Sequence, residues 1–228
     1  ALRYHGGLQL KPPPFLKAFA ARLAFRKAKA LPALAGLARL DTSRWNLELL
    51  KRLEWRRFEE LCVAYYEALG LKTRLRGAGT EGGVDILLYE TRADEPGALA
   101  RCKGWEPFRV SVKPVRLLRR AMTESRIARG VLLSAGRFSH EALEEAKREG
   151  IELIDGAKLI ERIGALPEDK ARGLLKFATE GDFVTPTCPA CSIKMVPRQS
   201  TKDSWPSWGC RNYPACKKTF AVTPFGSE

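Results

Sequence analysis

Histidine is almost missing from this chain of 228 residues: only His5 and His140 occur, with no Gly-x-Ser-x-Gly element and no Ser-His-Asp pattern around them. A serine-hydrolase mechanism therefore has no triad to draw on. His140 follows a predicted helix N-cap at Ser139, where a solvent-facing side chain is the default. No apolar run approaches the ~20 residues of a membrane span, and no secretory signal opens the chain. The most apolar N-terminal stretch, LPALAGLARL at residues 31–40, is short, holds Pro32 and carries Arg39 near its end. These absences favour a cytoplasmic protein. The first residue is Ala1 rather than Met, which leaves room for an upstream segment and, in one reading, a membrane anchor there. Internal repeats and low-complexity tracts are absent as well.

Acidic residues are scarce where the basic ones gather. Overall 40 Lys/Arg face 26 Asp/Glu, a net charge of +14 that points to a polyanionic partner. Residues 1–45 carry nine Lys/Arg against one acid, and residues 183–228 carry six against two, so the middle is close to balance. Affinity for an anion is thus expected mostly at the two ends. The basic arm at 15–40 reads as helical segments that serve as a solvated arm, a nucleic-acid contact or a membrane-surface contact.

Between the ends, hydrophobic period gives the element order. From Trp45 a long helical stretch is predicted, with Phe58, Leu61, Cys62, Tyr65 and Leu69 as a core-facing stripe that stops at Gly70. The period then changes to strands in LKTRLR, VDILLYE and GALARCKG. A basic helix at 113–124, the buried strand GVLLSAG, a helix ending near Gly150, the strand IELI and a helix from Ala157 complete the order α-β-β-β-α-β-α-β-α.

That order decides how to read RGAGTEGGVD. Gly77, Gly79 and Gly82 have the spacing of a dinucleotide-binding turn, but such a turn needs a helix after it, and here a strand follows. No Lys-Ser or Lys-Thr follows either, so a phosphate-binding P-loop fails too. What the loop delivers is Asp85, at the start of a buried strand, with Lys103 near the end of the neighbouring one. Metal-dependent phosphodiester cleavage needs carboxylates for a hard cation and a group that positions the attacking water. A turn-capping aspartate and a snorkelling lysine would look the same at this stage.

FEELCVAYYEALG, GTEGGVDILL, RCK, VKPVRLL and GVLLSAGRFSHEALEEAKREGIELIDGAKL, in this order and spacing, resemble the Mrr-type restriction endonuclease catalytic domain over about residues 50–165. The resemblance implies an α/β fold of the restriction-endonuclease-like class, a mixed sheet flanked by helices, cutting DNA with Mg²⁺. It places Asp85 as the metal-binding aspartate, Lys103 as the catalytic lysine and Glu59 as the acid of the first helix. Asp85, Glu59 and the carbonyl of Cys102 would hold the Mg²⁺. Glu81 stands where an aspartate usually precedes the Gly-Gly pair. One departure concerns Arg101, where the family expects Gln or Glu two residues before the lysine. Residues 101 and 103 share a strand face, and a guanidinium there repels a divalent cation.

The tail carries Cys188-x₂-Cys191 and Cys210-x₅-Cys216 separated by 18 residues. Four thiolates in two close pairs suit one tetrahedral Zn²⁺; two disulfides are the alternative, though no secretory feature supports them. CPACSIKMVPRQ with SWGCRNYPACKKTF is similar to the four-cysteine zinc ribbon of type IA topoisomerases, which implies binding of single-stranded or opened DNA. Arg198, Arg211, Lys217 and Lys218 can neutralise phosphates, while Trp205 and Phe220 are candidate stacking faces and Trp208 and Tyr213 are expected to pack inside. On the basic helix, Lys113, Arg116, Arg119 and Arg120 suit either phosphate tracking or a solvated face.

The expected organisation is a basic arm at 1–44, a nuclease domain at 45–166, a helix and linker at 167–186 and a zinc ribbon at 187–224. The leading expectation is a Mg²⁺-dependent DNA endonuclease without a small-molecule cofactor, with a homodimer as one assembly. The alternative is a DNA-binding protein whose nuclease core has lost its metal site, in which case Arg101 takes the cation's place and pairs with Asp85.

Overall fold

The computed structural model describes residues 40–76, 84–104, 109–199 and 206–221. Most of the basic arm with His5, the glycine turn with Glu81, and Trp205 lie outside the described residues. Helix α1 (Leu47–Arg52) starts under the Asn46 side chain, which accepts from Leu49 N, and α2 (Trp55–Ala68) starts under Glu54, which accepts from Arg56 N. The single long helix expected from Trp45 is thus two. Leu53 and Glu54 are extended between them, and the Glu54 N–H leaves the helical ladder to donate to Phe183 O at 2.8 Å. Leu69 is exposed at the C-cap of α2 rather than on its core stripe, while Phe58, Leu61, Cys62 and Tyr65 are buried as expected.

Strands β1 (Lys72–Arg76), β2 (Val84–Tyr89) and β3 (Ala98–Lys103) form an antiparallel meander. The two-residue β4 (Arg109–Val110) precedes α3 (Lys113–Ser125), which crosses over to β5 (Gly130–Ser134). The short β6 (Arg137–Phe138) pairs parallel with β4, and α4 (His140–Arg148) leads to β7 (Ile151–Ile154). Neither two-residue strand was legible in the sequence. Helices α5 (Gly156–Gly164) and α6 (Glu168–Thr179) follow. The central sheet runs β1-β2-β3-β5-β7, with β3, β5 and β7 parallel, so it is mixed and flanked by helices.

Residue alternation splits the core in two. On one face Ile86, Leu88, Ala98, Ala100, Cys102, Val131, Leu133 and Ile154 pack against α2, α5 and α6. On the other, Leu99, Leu132 and Ile151 pack against α3 and α4 with Leu118, Met122 and Ala142. A fully buried leucine such as Leu132 or Leu133 contributes roughly 1.5–3 kcal/mol. Beyond α6, strands β8 (Val196–Gln199), β9 (Pro206–Gly209) and β10 (Thr219–Ala221) make a separate antiparallel sheet. Its small core holds Cys188, Met195, Trp208 and Cys210. Among the described residues, no helix is long and apolar enough to cross a membrane.

Candidate functional site

Asp85 lies on β2 and Arg101 on β3, directly opposite each other in the antiparallel register. Their side chains meet in a two-pronged ion pair: Arg101 Nε donates to Asp85 Oδ1 at 2.6 Å and Nη2 to Oδ2 at 2.8 Å. Each side chain is only 13% exposed, so the pair is poorly hydrated and stronger than a surface salt bridge. Lys103, two residues on, alternates onto the same strand face and is buried at 8% exposure, where a snorkelling lysine would keep its ammonium in water. Glu59 is buried on α2, which packs on the other face of the sheet with Cys102. Burial pushes the Cys102 thiol well above its ordinary range; the neighbouring Cys62 thiol and the charges of Glu59 and Asp85 act in the same direction.

This arrangement does not fit a divalent cation at Asp85 as it stands. Both carboxylate oxygens already face a guanidinium, and a unit pair at 4 Å is worth ~4 kcal/mol at an effective dielectric of about 20. A divalent ion at that distance from Arg101 would meet roughly twice that, as repulsion. The geometry brings Asp85 and Arg101 together, sets Lys103 on the same face of β3, and leaves Glu59 on α2, which packs on the opposite face of the sheet.

The four tail cysteines converge. One ligand sulfur from each of Cys188, Cys191, Cys210 and Cys216 lies within 4.8 Å of the others. A tetrahedral ion with sulfurs at ~2.3 Å sets them about 3.8 Å apart. Cys188 Sγ and Cys216 Sγ are separated by that same 3.8 Å. Asn212 N donates to Cys210 Sγ at 3.4 Å, and the Lys218 N–H draws the Cys216 thiol down to about 7, whereas burial pushes Cys210 up to about 12. All four are free of disulfides, and the donor set fits one tetrahedral metal ion.

Around this cluster the aromatic expectations are partly reversed. Trp208 is buried as expected, but Tyr213 is 64% exposed, with the Arg198 guanidinium 5.9 Å from its ring centroid. Phe220, opposite Trp208 in the β9–β10 register, packs half-buried on the small core around the cysteines instead. Arg198, Tyr213, Lys217 and Lys218 line one cleft of about 220 Å³. Arg211 is exposed on the neighbouring turn. The basic run on α3 is committed elsewhere: Arg116 pairs with Glu145 at 3.1 Å, Arg119 with Glu149 at 2.7 Å and Arg120 with Glu124 at 2.8 Å. Two of these three tie α3 to the α4 side, which explains their spacing without DNA. Lys113 opens the same helix.

One residue that the sequence reading missed joins the two sites. The Glu54 carboxylate, 3% exposed, accepts from Arg56 N, Thr187 N, Thr187 Oγ1 and Lys194 Nζ, all between 2.8 and 3.1 Å. Trp55 Nε1 adds a bond to Thr187 O at 2.8 Å. Thr187 and Lys194 bracket the first cysteine pair and bridge to each other. A glutamate at the joint of two helices is the only trace this left in the sequence.

The solved structures that resemble the fold include EndoMS in its apo form, at 21% identity, TM-score 0.36, covering 45% of this chain and 45% of that one. The DNA modification-dependent restriction endonuclease AspBHI follows at 18% identity and TM-score 0.38, over 57% of this chain and 38% of that one. The MspJI restriction endonuclease in complex with a 27-mer oligonucleotide gives 18% identity and TM-score 0.33, over 59% and 34%. The chain thus spans less than half the length of each. No curated protein matches it. Residues 50–163, half of the chain, match the family model of the Mrr_cat restriction endonucleases. By that match, which takes in Glu59, Asp85, Arg101 and Lys103, the chain belongs to the Mrr_cat restriction endonuclease family.

Proposed function

We propose that the chain is a DNA endonuclease of the restriction type, with a nuclease domain at 45–166, a helix and linker at 167–186 and a zinc ribbon at 187–224 that grips DNA. The observation that carries this reading is the family match over 50–163, within which Asp85, Lys103 and Glu59 keep the acid–acid–lysine set of a phosphodiesterase. In the ribbon, Cys188, Cys191, Cys210 and Cys216 would hold one Zn²⁺, whose contribution is to fix the fold. Arg198, Arg211, Lys217 and Lys218 then meet phosphates, and the exposed Tyr213 ring takes the stacking role first expected of Trp205 and Phe220. Arg116 and Arg120 are held by acids, so phosphate contact there would first have to break those pairs.

In the core, Lys103 would orient the attacking water and stabilise charge on the phosphate. Mg²⁺ dependence belongs to this reading only if Arg101 withdraws from Asp85. A second reading, a DNA-binding protein that does not cleave, is favoured by one observation: Arg101 sits where the cation would and holds both Asp85 oxygens. Nicking of supercoiled plasmid with Mg²⁺ or Mn²⁺ separates the two. The endonuclease reading expects cleavage by the wild type and none by Asp85→Ala; cleavage that survives Asp85→Ala places the chemistry elsewhere.

A further inference from the structure

The Asp85–Arg101 pair is built into the sheet. The two residues are register partners on β2 and β3, so their contact follows from strand pairing and not from a loop. Lys103 follows Arg101 by two residues on β3, on the same strand face. Beside one aspartate β3 therefore places two cationic residues, Arg101 and Lys103. Such a row attracts an anion and disfavours a free divalent cation. The pair is mostly buried but not sealed, each side chain keeping 13% of its surface in solvent. A guanidinium forks onto phosphate as well as onto carboxylate, so a DNA phosphate is a direct competitor for Arg101.

We propose that Arg101 is a phosphate-operated lock on Asp85: in the free chain it occupies the cation's position, and a DNA backbone phosphate draws it away and frees the carboxylate. The proposal rests on the endonuclease reading and adds an order to it, DNA before metal. Binding of the two is then positively coupled, and the coupling is reciprocal. No bond is made or broken in the switch; one ion pair is exchanged for another.

The test is Mn²⁺ binding, followed by loss of the free-ion EPR signal, on the full zinc-loaded chain. It is measured alone and saturated with a short nuclease-resistant phosphorothioate duplex, with Asp85→Asn plus the same duplex as background. The wild type should bind Mn²⁺ at least about tenfold more tightly with DNA than without, within the usual range of coupled sites. Arg101→Gln should bind Mn²⁺ without DNA, since the amide removes the charge. Equal Mn²⁺ affinity in the free wild type and its DNA complex overturns the lock, and the wild-type pair of titrations gives that answer even if Arg101→Gln folds poorly. If the coupling is absent yet the wild type nicks plasmid, the lock is wrong and the endonuclease reading stands. If Arg101→Gln alone binds Mn²⁺ and the wild type never does, DNA does not open the pair, and the lock fails together with wild-type cleavage.

Discussion

At the scale of single residues, exposure separates side chains that look alike in the sequence. Trp208 and Tyr213 both flank the second cysteine pair, yet one is buried and the other is 64% exposed beneath the Arg198 guanidinium. Removing them should have opposite consequences. Tyr213→Ala is expected to leave the ribbon folded and weaken single-stranded DNA binding by ~1–3 kcal/mol, the value of one stacked base. Trp208→Ala empties the ribbon core and should cost about 3–5 kcal/mol of stability, releasing zinc. Thermal melts with a zinc-sensitive dye, run beside fluorescence anisotropy on an oligonucleotide, check both. A Tyr213→Ala protein that binds DNA like the wild type removes the stacking role. Position in the sequence could not distinguish these two rings, because burial in so small a domain is set by which residues face the four-cysteine cluster.

Among elements, the junction at Glu54 carries the tail into the nuclease core. Its carboxylate caps α2 and holds both Thr187 and Lys194, and Gly104, just past Lys103, lies so close to Trp55 that an added Cβ would come within 2.7 Å of its carbonyl oxygen. The first turn of α2 is therefore clamped between the loop around Cys188 and the end of β3. Glu54→Ala should destabilise the chain by roughly 2–3 kcal/mol, from a lost cap together with buried donors left unpaired. Removing zinc with a chelator should speed amide exchange in the first turn of α2 in the wild type; unchanged protection there means that ribbon and core are independent. The sequence shows only a helix and linker at 167–186 between the two units. Element type and order were legible because periods of two and 3.6 and the caps at Ser139 and Gly70 mark them locally. The helix break at Glu54 and the β4–β6 pair were not, because both depend on partners far along the chain.

For the whole molecule, a family assignment and a family site have come apart. Strand pairing sets Asp85 on β2 beside β3, which carries Lys103, but the same register that aligns Asp85 with β3 hands it Arg101. The departure was visible in Arg101-Cys102-Lys103; the direct pairing was foreseen only as a property of a non-cleaving core. The lock reconciles that pairing with cleavage, and in doing so it fixes what Arg101 must contribute once DNA arrives. Comparing plasmid cleavage by the wild type and by Arg101→Gln, each with Mg²⁺ and with Mn²⁺, tests this most directly. The expected result is cleavage by the wild type and about 10-fold or more slower cleavage by Arg101→Gln, which keeps Asp85 accessible but loses the charge on the phosphate. A silent wild type beside an Arg101→Gln protein that gains cleavage would contradict the account and leave a DNA-binding protein on a nuclease fold.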